Sequence, residues 1–281
     1  MSPIHDQSYR RYQGTRLPLG RSWAIIAGAG IRGMLGRKLF LLLMVLAWVP
    51  FVVRAVQIYA VTMYPQAGQI LPIDASLFRD FLEQQGPFVF FVSVYVGSGL
   101  IANDRRANAL QIYLSKPLLR VEYIAGKLAV LLFFLASITL LPALLLVIVQ
   151  IALAGGLGLV RSSPQIVPAV VLASIVRIGV ASFTMLALSS LSKSTRYVAV
   201  LYTGVIFFTE AMYGVLTLIT GSTAVAWVSI PANLEQVADA MFRLELSYET
   251  PLVVSAFVLV GVVVLSVSVL ERRVRGVEIV S

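Results

Sequence analysis

The chain has 281 residues, 59% of them hydrophobic and only 12% charged, with a formal net charge of +9. Apolar runs of membrane-spanning length recur along it, which excludes a soluble domain and leaves no stretch for a separate catalytic one. The absence of cysteine and a single histidine, His5, exclude disulfides, thiolate metal sites and a histidine ligand set.

The first 38 residues are polar and basic, and the apolar run from Leu39 is followed by more membrane, so the first span is expected to stay as an anchor rather than be cleaved. Within this region Arg21–Lys38 mixes basic residues with Trp23, Ile25, Ile26, Ile31, Met34 and Leu35, the pattern of an amphipathic helix lying in the membrane interface. Gly28, Gly30 and Gly33 formally fit the dinucleotide-binding spacing G-x-G-x-x-G. The fit is accidental, because that motif needs a preceding strand and an acid about 20 residues on, whereas no acid occurs between Gly33 and Asp74. The small residues instead predict close approach to a neighbouring helix.

Six spans are predicted near Leu39–Ala60, Pro87–Ala102, Leu128–Leu153, Ile166–Leu191, Tyr197–Ile219 and Pro251–Leu270. The expected fold is an all-α integral membrane protein, one domain over the whole chain, with an interfacial N-terminal helix and short helices in the outer loops. Seventeen of the 22 Lys and Arg residues fall on one side: seven precede Leu39, five lie in Asn103–Lys127, two in Ser192–Arg196 and three follow Leu270. Seven of the 13 acids fall on the other side. The positive-inside rule therefore predicts that both termini are cytoplasmic. The basic balance is a topology signal with some attraction to anionic lipids of the bilayer, and no nucleic-acid partner is expected.

In the first outer loop Asp74 precedes Leu77, Phe78, Phe81 and Leu82 at helical spacing. In the last, Asn233 is the expected helix cap, with Gln236 at the third position and Leu234, Val237, Ala238, Met241 and Phe242 on one face. Both helices are expected to rest on the outer leaflet or pack on the bundle. Three ionisable residues fall inside spans, and such residues are costly and mark functional candidates. Arg177 and Glu210 lie at matched depth on consecutive antiparallel spans, roughly 21–23 Å from the inner boundary at 1.5 Å per residue. They are expected to pair. Arg54 has no sequence-adjacent partner and is expected either to snorkel outward or to face a pathway. If Arg54 joins the pair, the net positive charge favours an anionic headgroup or solute.

The polar stretch Asn103 to Lys127 is accounted for equally well by topology alone and by a contact with another protein. Leu110, Tyr113 and Leu114 stand at helical spacing beside Arg105, Arg106 and Gln111. Pro117 breaks the helix, and Ser115 is the expected cap of a second one, whose apolar stripe Leu118, Val121, Ala125 and Leu128 runs into the third span.

In order, the stretch carries Asp104-Arg105-Arg106, Leu110, Leu114-Ser115-Lys116-Pro117, Arg120 and Gly126-Lys127. This series resembles the permease subunits of type-2 ATP-binding-cassette transporters, the group with the type V exporter fold. It departs from that pattern at Asn108-Ala109, where Gly-Thr is common. The resemblance implies a coupling helix at Asp104–Leu114, a second permease copy (identical or related), two cytoplasmic ATPase subunits and a bacterial or archaeal inner membrane. ATP and magnesium are then bound by the ATPase, since no G-x-x-x-x-G-K-[ST] loop occurs in this chain. It also admits a related use, in which ATPase-driven motion is passed to an extracytoplasmic protein without moving a solute. The remaining reading is an ion-coupled carrier or scaffold. Neither a nucleophile with its base nor a metal ligand set converges along the chain, so no catalytic residue is expected.

Overall fold

The computed structural model describes residues 22–108 and 119–274; the first 21 residues, 109–118 and 275–281 lie outside it. All the regular structure among the described residues is helical, and six helices are long and apolar enough to cross a membrane: Lys38–Met63, Ala75–Arg106, Arg120–Leu153, Ile166–Leu191, Thr195–Thr220 and Leu252–Arg273. They are numbered as spans one to six. Their alternating direction gathers Arg105, Arg106, Arg120, Lys127, Lys193 and Arg196 at one end of the bundle. Asp74, Asp80, Glu83, Glu235, Asp239, Glu245 and Glu249 gather at the other. These are called the basic and acidic ends.

The central layer is spans two, three and four, in which 56%, 44% and 50% of the most apolar window is buried, against 11%, 11% and 17% for spans one, five and six. The peripheral three thus turn most of their apolar surface outward, as helices facing lipid or another apolar surface do. A core around Phe40, Ile101, Leu131, Phe134 and Met185 fills the basic half. The Phe40 ring lies edge-on to Phe134 at 4.8 Å and stacked on Tyr95 at 5.5 Å, both favoured geometries.

Spans one to three are each interrupted, for local reasons. Span one breaks between Leu46 and Val49, where Pro50 supplies no amide hydrogen. The buried Gln85 side chain crosses from span two and donates to the Ala47 carbonyl at 3.1 Å. Span three breaks at Thr139, three residues before Pro142, and the Thr139 hydroxyl turns back onto the Leu135 carbonyl. Span two contains a π turn at Ser93–Gly97. There a Cβ on Gly97 would stand 2.3 Å from Met185 Cγ, so only glycine permits this approach of spans two and four.

The second span departs most from expectation. Rather than beginning at Pro87, it is continuous with the outer-loop helix Ala75–Gln84, giving a compound element of 32 residues. Asp74 caps it, accepting from the Ser76 amide at 2.8 Å. Leu77, Phe78, Phe81 and Leu82 are all buried against the bundle, the packed alternative of the two expected for this helix. The hydropathy drop at Arg79, Asp80 and Glu83 suggested two elements, but polar contacts to a neighbouring helix carry the backbone through.

The second outer helix, Ile230–Phe242, starts earlier than predicted. Ser229 is its cap, accepting from the Ala232 amide at 3.1 Å, and Pro231 occupies its first turn. Asn233 instead lies inside the helix, its amide donating to the carbonyls of Trp227 and Ser229 at 2.9 and 2.6 Å. Gln236, buried, binds the backbone of Tyr248 and Thr250.

The first helix, Ser22–Leu35, packs across the start of span three. Two glycines make the crossing close. A Cβ on Gly30 would meet Val130 at 2.6 Å, and one on Gly126 would meet Ile26 Cβ at 2.8 Å and the Trp23 carbonyl at 2.9 Å. Close approach through small residues is therefore observed at Gly30, while Gly28 and Gly33 face open space.

Candidate functional site

At the basic end, the two flanks of the 103–127 stretch are brought together. The Asp104 carboxylate accepts from Lys127 Nζ at 2.7 Å and from the Tyr123 hydroxyl at 2.7 Å, with Lys127 and Asp104 side chains only 15% and 18% exposed. Arg105 donates to the Ser190 carbonyl at the end of span four. Thr195, opening span five, donates to Asn103 Oδ1 at 2.9 Å. Ser189 accepts the amides of Ile101 and Ala102, both at 3.1 Å, and donates to the Ser98 carbonyl at 3.0 Å. These groups would otherwise be orphaned where span two turns out of its π segment, and buried backbone groups require partners. Four spans therefore share one polar junction directly beneath the basic stretch.

The helical boundaries of that stretch differ from those predicted. Span two ends at Arg106, and Asn108 adopts a left-handed conformation (φ 52°), so no single helix runs from Asp104 to Leu114. Asparagine tolerates this region better than most residues, and that preference outweighed the helical spacing of the leucines. Span three begins at Arg120 behind the extended Leu119, which places its start beyond Ser115, the expected cap. Its buried face is Tyr123, Gly126 and Val130, whereas Val121 from the expected stripe is exposed. Arg106 and Arg120 are exposed on either side. Leu110, Tyr113, Leu114, Ser115, Lys116 and Pro117 lie outside the described residues.

At the acidic end, Arg79 is a hub that the sequence alone did not single out. Its guanidinium contacts Asp239 at 2.6 Å, Glu83 at 2.6 Å, Glu235 at 2.5 Å and the Ser247 hydroxyl at 3.0 Å. Asp239 is 1% exposed and also receives the Ser247 amide and hydroxyl. Tyr248 donates to Glu235 at 2.6 Å; burial and the adjoining carboxylate push its hydroxyl well above the ordinary phenol range, so it remains a donor. The arrangement fastens span two to helix Ile230–Phe242 and the loop that follows it. Glu83, one turn from Arg79, was a readable signal; Asp239, 160 positions away, was not.

Arg54 belongs to the edge of this network. It donates to Gln57 at 2.9 Å and Gln84 at 3.3 Å and lies 3.7 Å from Asp80. It does not join Arg177 and Glu210, which removes the basis for a net positive interior.

A cavity of about 410 Å³ lies between spans two, four and five and helix Ile230–Phe242. Its walls are largely aromatic and aliphatic, including Phe90, Phe91 and Phe207, and both Arg177 and Glu210 line it. The expected Arg177–Glu210 salt bridge is not formed: among the described residues no ion pair within 4 Å involves either side chain. Equal depth on neighbouring helices did not bring the side chains together because the intervening space is open. Arg177 reaches the backbone of Gly86, where a Cβ would stand 3.3 Å from Nη1, and feels the charges of Glu83 and Glu235. Glu210 accepts a hydrogen bond from the Ser229 hydroxyl. Thr184, 7% exposed, lines the same cavity, with no hydrogen-bond partner for its hydroxyl among the described residues.

No family model and no curated protein matches this chain.

Proposed function

We propose that the chain is the transmembrane permease subunit of an ATP-binding-cassette transporter, moving a substrate outward with energy from a separate ATPase. The observation that carries the reading is the closed base of the basic stretch. Asp104, Tyr123 and Lys127 hold its two ends together, and Arg105, Ser189 and Thr195 tie that base to spans four and five. A segment that only kept topology needs positive charge but no such junction.

In this reading the basic end is cytoplasmic, and the exposed Arg106 and Arg120 flank the surface that meets the ATPase. Leu110, Tyr113, Leu114, Ser115 and Pro117 supply the contact. ATP and magnesium are held by that partner, and this chain contributes no catalytic group. ATP-driven closure of two ATPases displaces two such segments, and each junction passes the displacement into its spans, shifting the bundle between alternative packings. The outward apolar faces of spans one, five and six leave surface for lipid and for a second permease copy. The lined cavity favours transport over a purely mechanical output to an extracytoplasmic protein.

The test is co-purification. An ATP-binding-cassette ATPase subunit co-expressed with the chain is expected to elute with the wild type and to be lost with Leu110→Asp/Leu114→Asp, while membrane insertion is unchanged. Retention of the ATPase by that variant overturns the interface.

A further inference from the structure

We infer that the cavity between spans two, four and five is a binding site for a zwitterionic amphiphile, a molecule carrying an ammonium and an acidic group on an apolar body. The identification of this ligand as cargo rests on the permease reading, whereas its binding does not.

The charges of the cavity divide into those already satisfied and those that are not. Glu83 and Glu235 are held by Arg79, and Glu235 also by Tyr248. Glu210 has only a serine hydroxyl, and no cation lies within 4 Å of it among the described residues. Arg177 likewise has no hydrogen bond or ion pair within 4 Å to a described residue, although its guanidinium presents five donors. The unfilled base is on span four and the unfilled acid on span five, across the same space.

A charge without a direct counter-ion within a span is costly, and here two of opposite sign face a common cavity, Arg177 feeling Glu83 and Glu235 only across space. A purely anionic ligand fills Arg177 and leaves Glu210 alone; a purely cationic one does the reverse. A molecule bearing both signs satisfies the two together, and its acceptor can also take the hydroxyl of Thr184, a buried donor now without a partner among the described residues. The aromatic lining receives the apolar body and favours an ammonium lying against a ring face. The same charge pattern occurs in a lipid with an ethanolamine phosphate head and in an apolar peptide with free termini.

The full chain, purified in an uncharged maltoside detergent, is titrated with myristoyl lysophosphatidylethanolamine, trileucine, myristoyl lysophosphatidylglycerol and tetradecyltrimethylammonium, with binding read by native mass spectrometry. One or both zwitterions are expected to bind about tenfold or more tighter than either singly charged probe, and which of them does so distinguishes a lipid from a peptide source. Glu210→Gln, nearly isosteric, is expected to abolish the preference for lysophosphatidylethanolamine over lysophosphatidylglycerol, or for trileucine over its N-acetylated form. Arg177→Gln is expected to weaken the bound zwitterion about tenfold. Unchanged thermal unfolding and elution of each variant show that the fold is kept. Equal binding of all four probes, or zwitterion binding untouched by both substitutions in folded protein, overturns the assignment. Failure of the wild-type chain to recruit an ATPase, with zwitterion binding intact, would overturn the permease reading alone.

Discussion

Asp104 and Lys127, 23 positions apart in the sequence, meet at 2.7 Å, with the Tyr123 hydroxyl on the same carboxylate oxygen. The contact fastens the end of span two to the first turns of span three, so the two flanks of the stretch have a fixed base. Its energy belongs to both ends at once, so it is best measured as a coupling.

In a double-mutant cycle, Asp104→Asn and Lys127→Met are expected to show a coupling of about 1–3 kcal/mol in thermal or denaturant unfolding, the range for residues in direct contact. The exchange Asp104→Lys with Lys127→Asp should recover part of it. Additive single effects would show that the pair contributes only locally. On the proposed permease function, Asp104→Asn is also expected to lower transport more than ATP hydrolysis in the complex with the ATPase.

Arg79→Ala is expected to be the most destabilising of the single charge removals, by about 3–5 kcal/mol, because it leaves the buried Asp239 without its cation. Arg54→Ala removes a pair whose acid, Asp80, is 41% exposed, and is expected to cost under about 1 kcal/mol. Thermal unfolding of the two variants side by side checks the ranking. On the proposed permease function, substrate-stimulated hydrolysis by the partner ATPase is expected to be unchanged in Arg54→Ala, which lies outside the cavity.

The crossing of the first helix over span three depends on absent side chains. Gly126→Ala forces a Cβ to within 2.9 Å of the Trp23 carbonyl and is expected to displace the helix at a cost of about 1–3 kcal/mol. Gly28→Ala and Gly33→Ala meet nothing within 4 Å and are expected to be silent. Because the chain has no cysteine, a single Ile25→Cys on an exposed side of the helix reports its position by maleimide labelling. The labelling rate should be unchanged in the Gly28 variant and altered in the Gly126 variant.

The same absence of cysteine allows the membrane orientation to be measured directly. Lys193→Cys, at the basic end, is expected to react with an impermeant maleimide only after the cells are opened, and Glu245→Cys, at the acidic end, in intact cells. The reverse pattern would invert the reading of every loop.

The apolar runs made all six helices legible, and span four was bounded correctly at Ile166–Leu191 because charge and proline flank it cleanly. Span two was not, since Arg79, Asp80 and Glu83 interrupt its hydropathy. The partners that let it continue, Glu235, Asp239 and Ser247, lie more than 150 positions on. Helical spacing found the buried face Leu77, Phe78, Phe81 and Leu82 but misplaced the start of the second outer helix, because Ser229 and Asn233 are equally good caps by type. The site was legible in part. Matched depth brought Arg177 and Glu210 to one cavity, yet whether two facing charges touch or enclose a space is set by how far apart the surrounding helices hold them, and sequence spacing carries no information on that.

The hydroxyl of Ser189 takes part in three hydrogen bonds to the backbone of span two, at Ser98, Ile101 and Ala102. Together with the Arg105 contact to Ser190 and the Asp104–Lys127 pair, these bonds leave spans two, three and four at the basic end with the rigid-body freedoms of one object rather than of three. A push delivered there cannot be absorbed by sliding one of these helices past the next. It must emerge as bending farther along, and the break at Thr139 in span three is where the helical ladder is already open to bending.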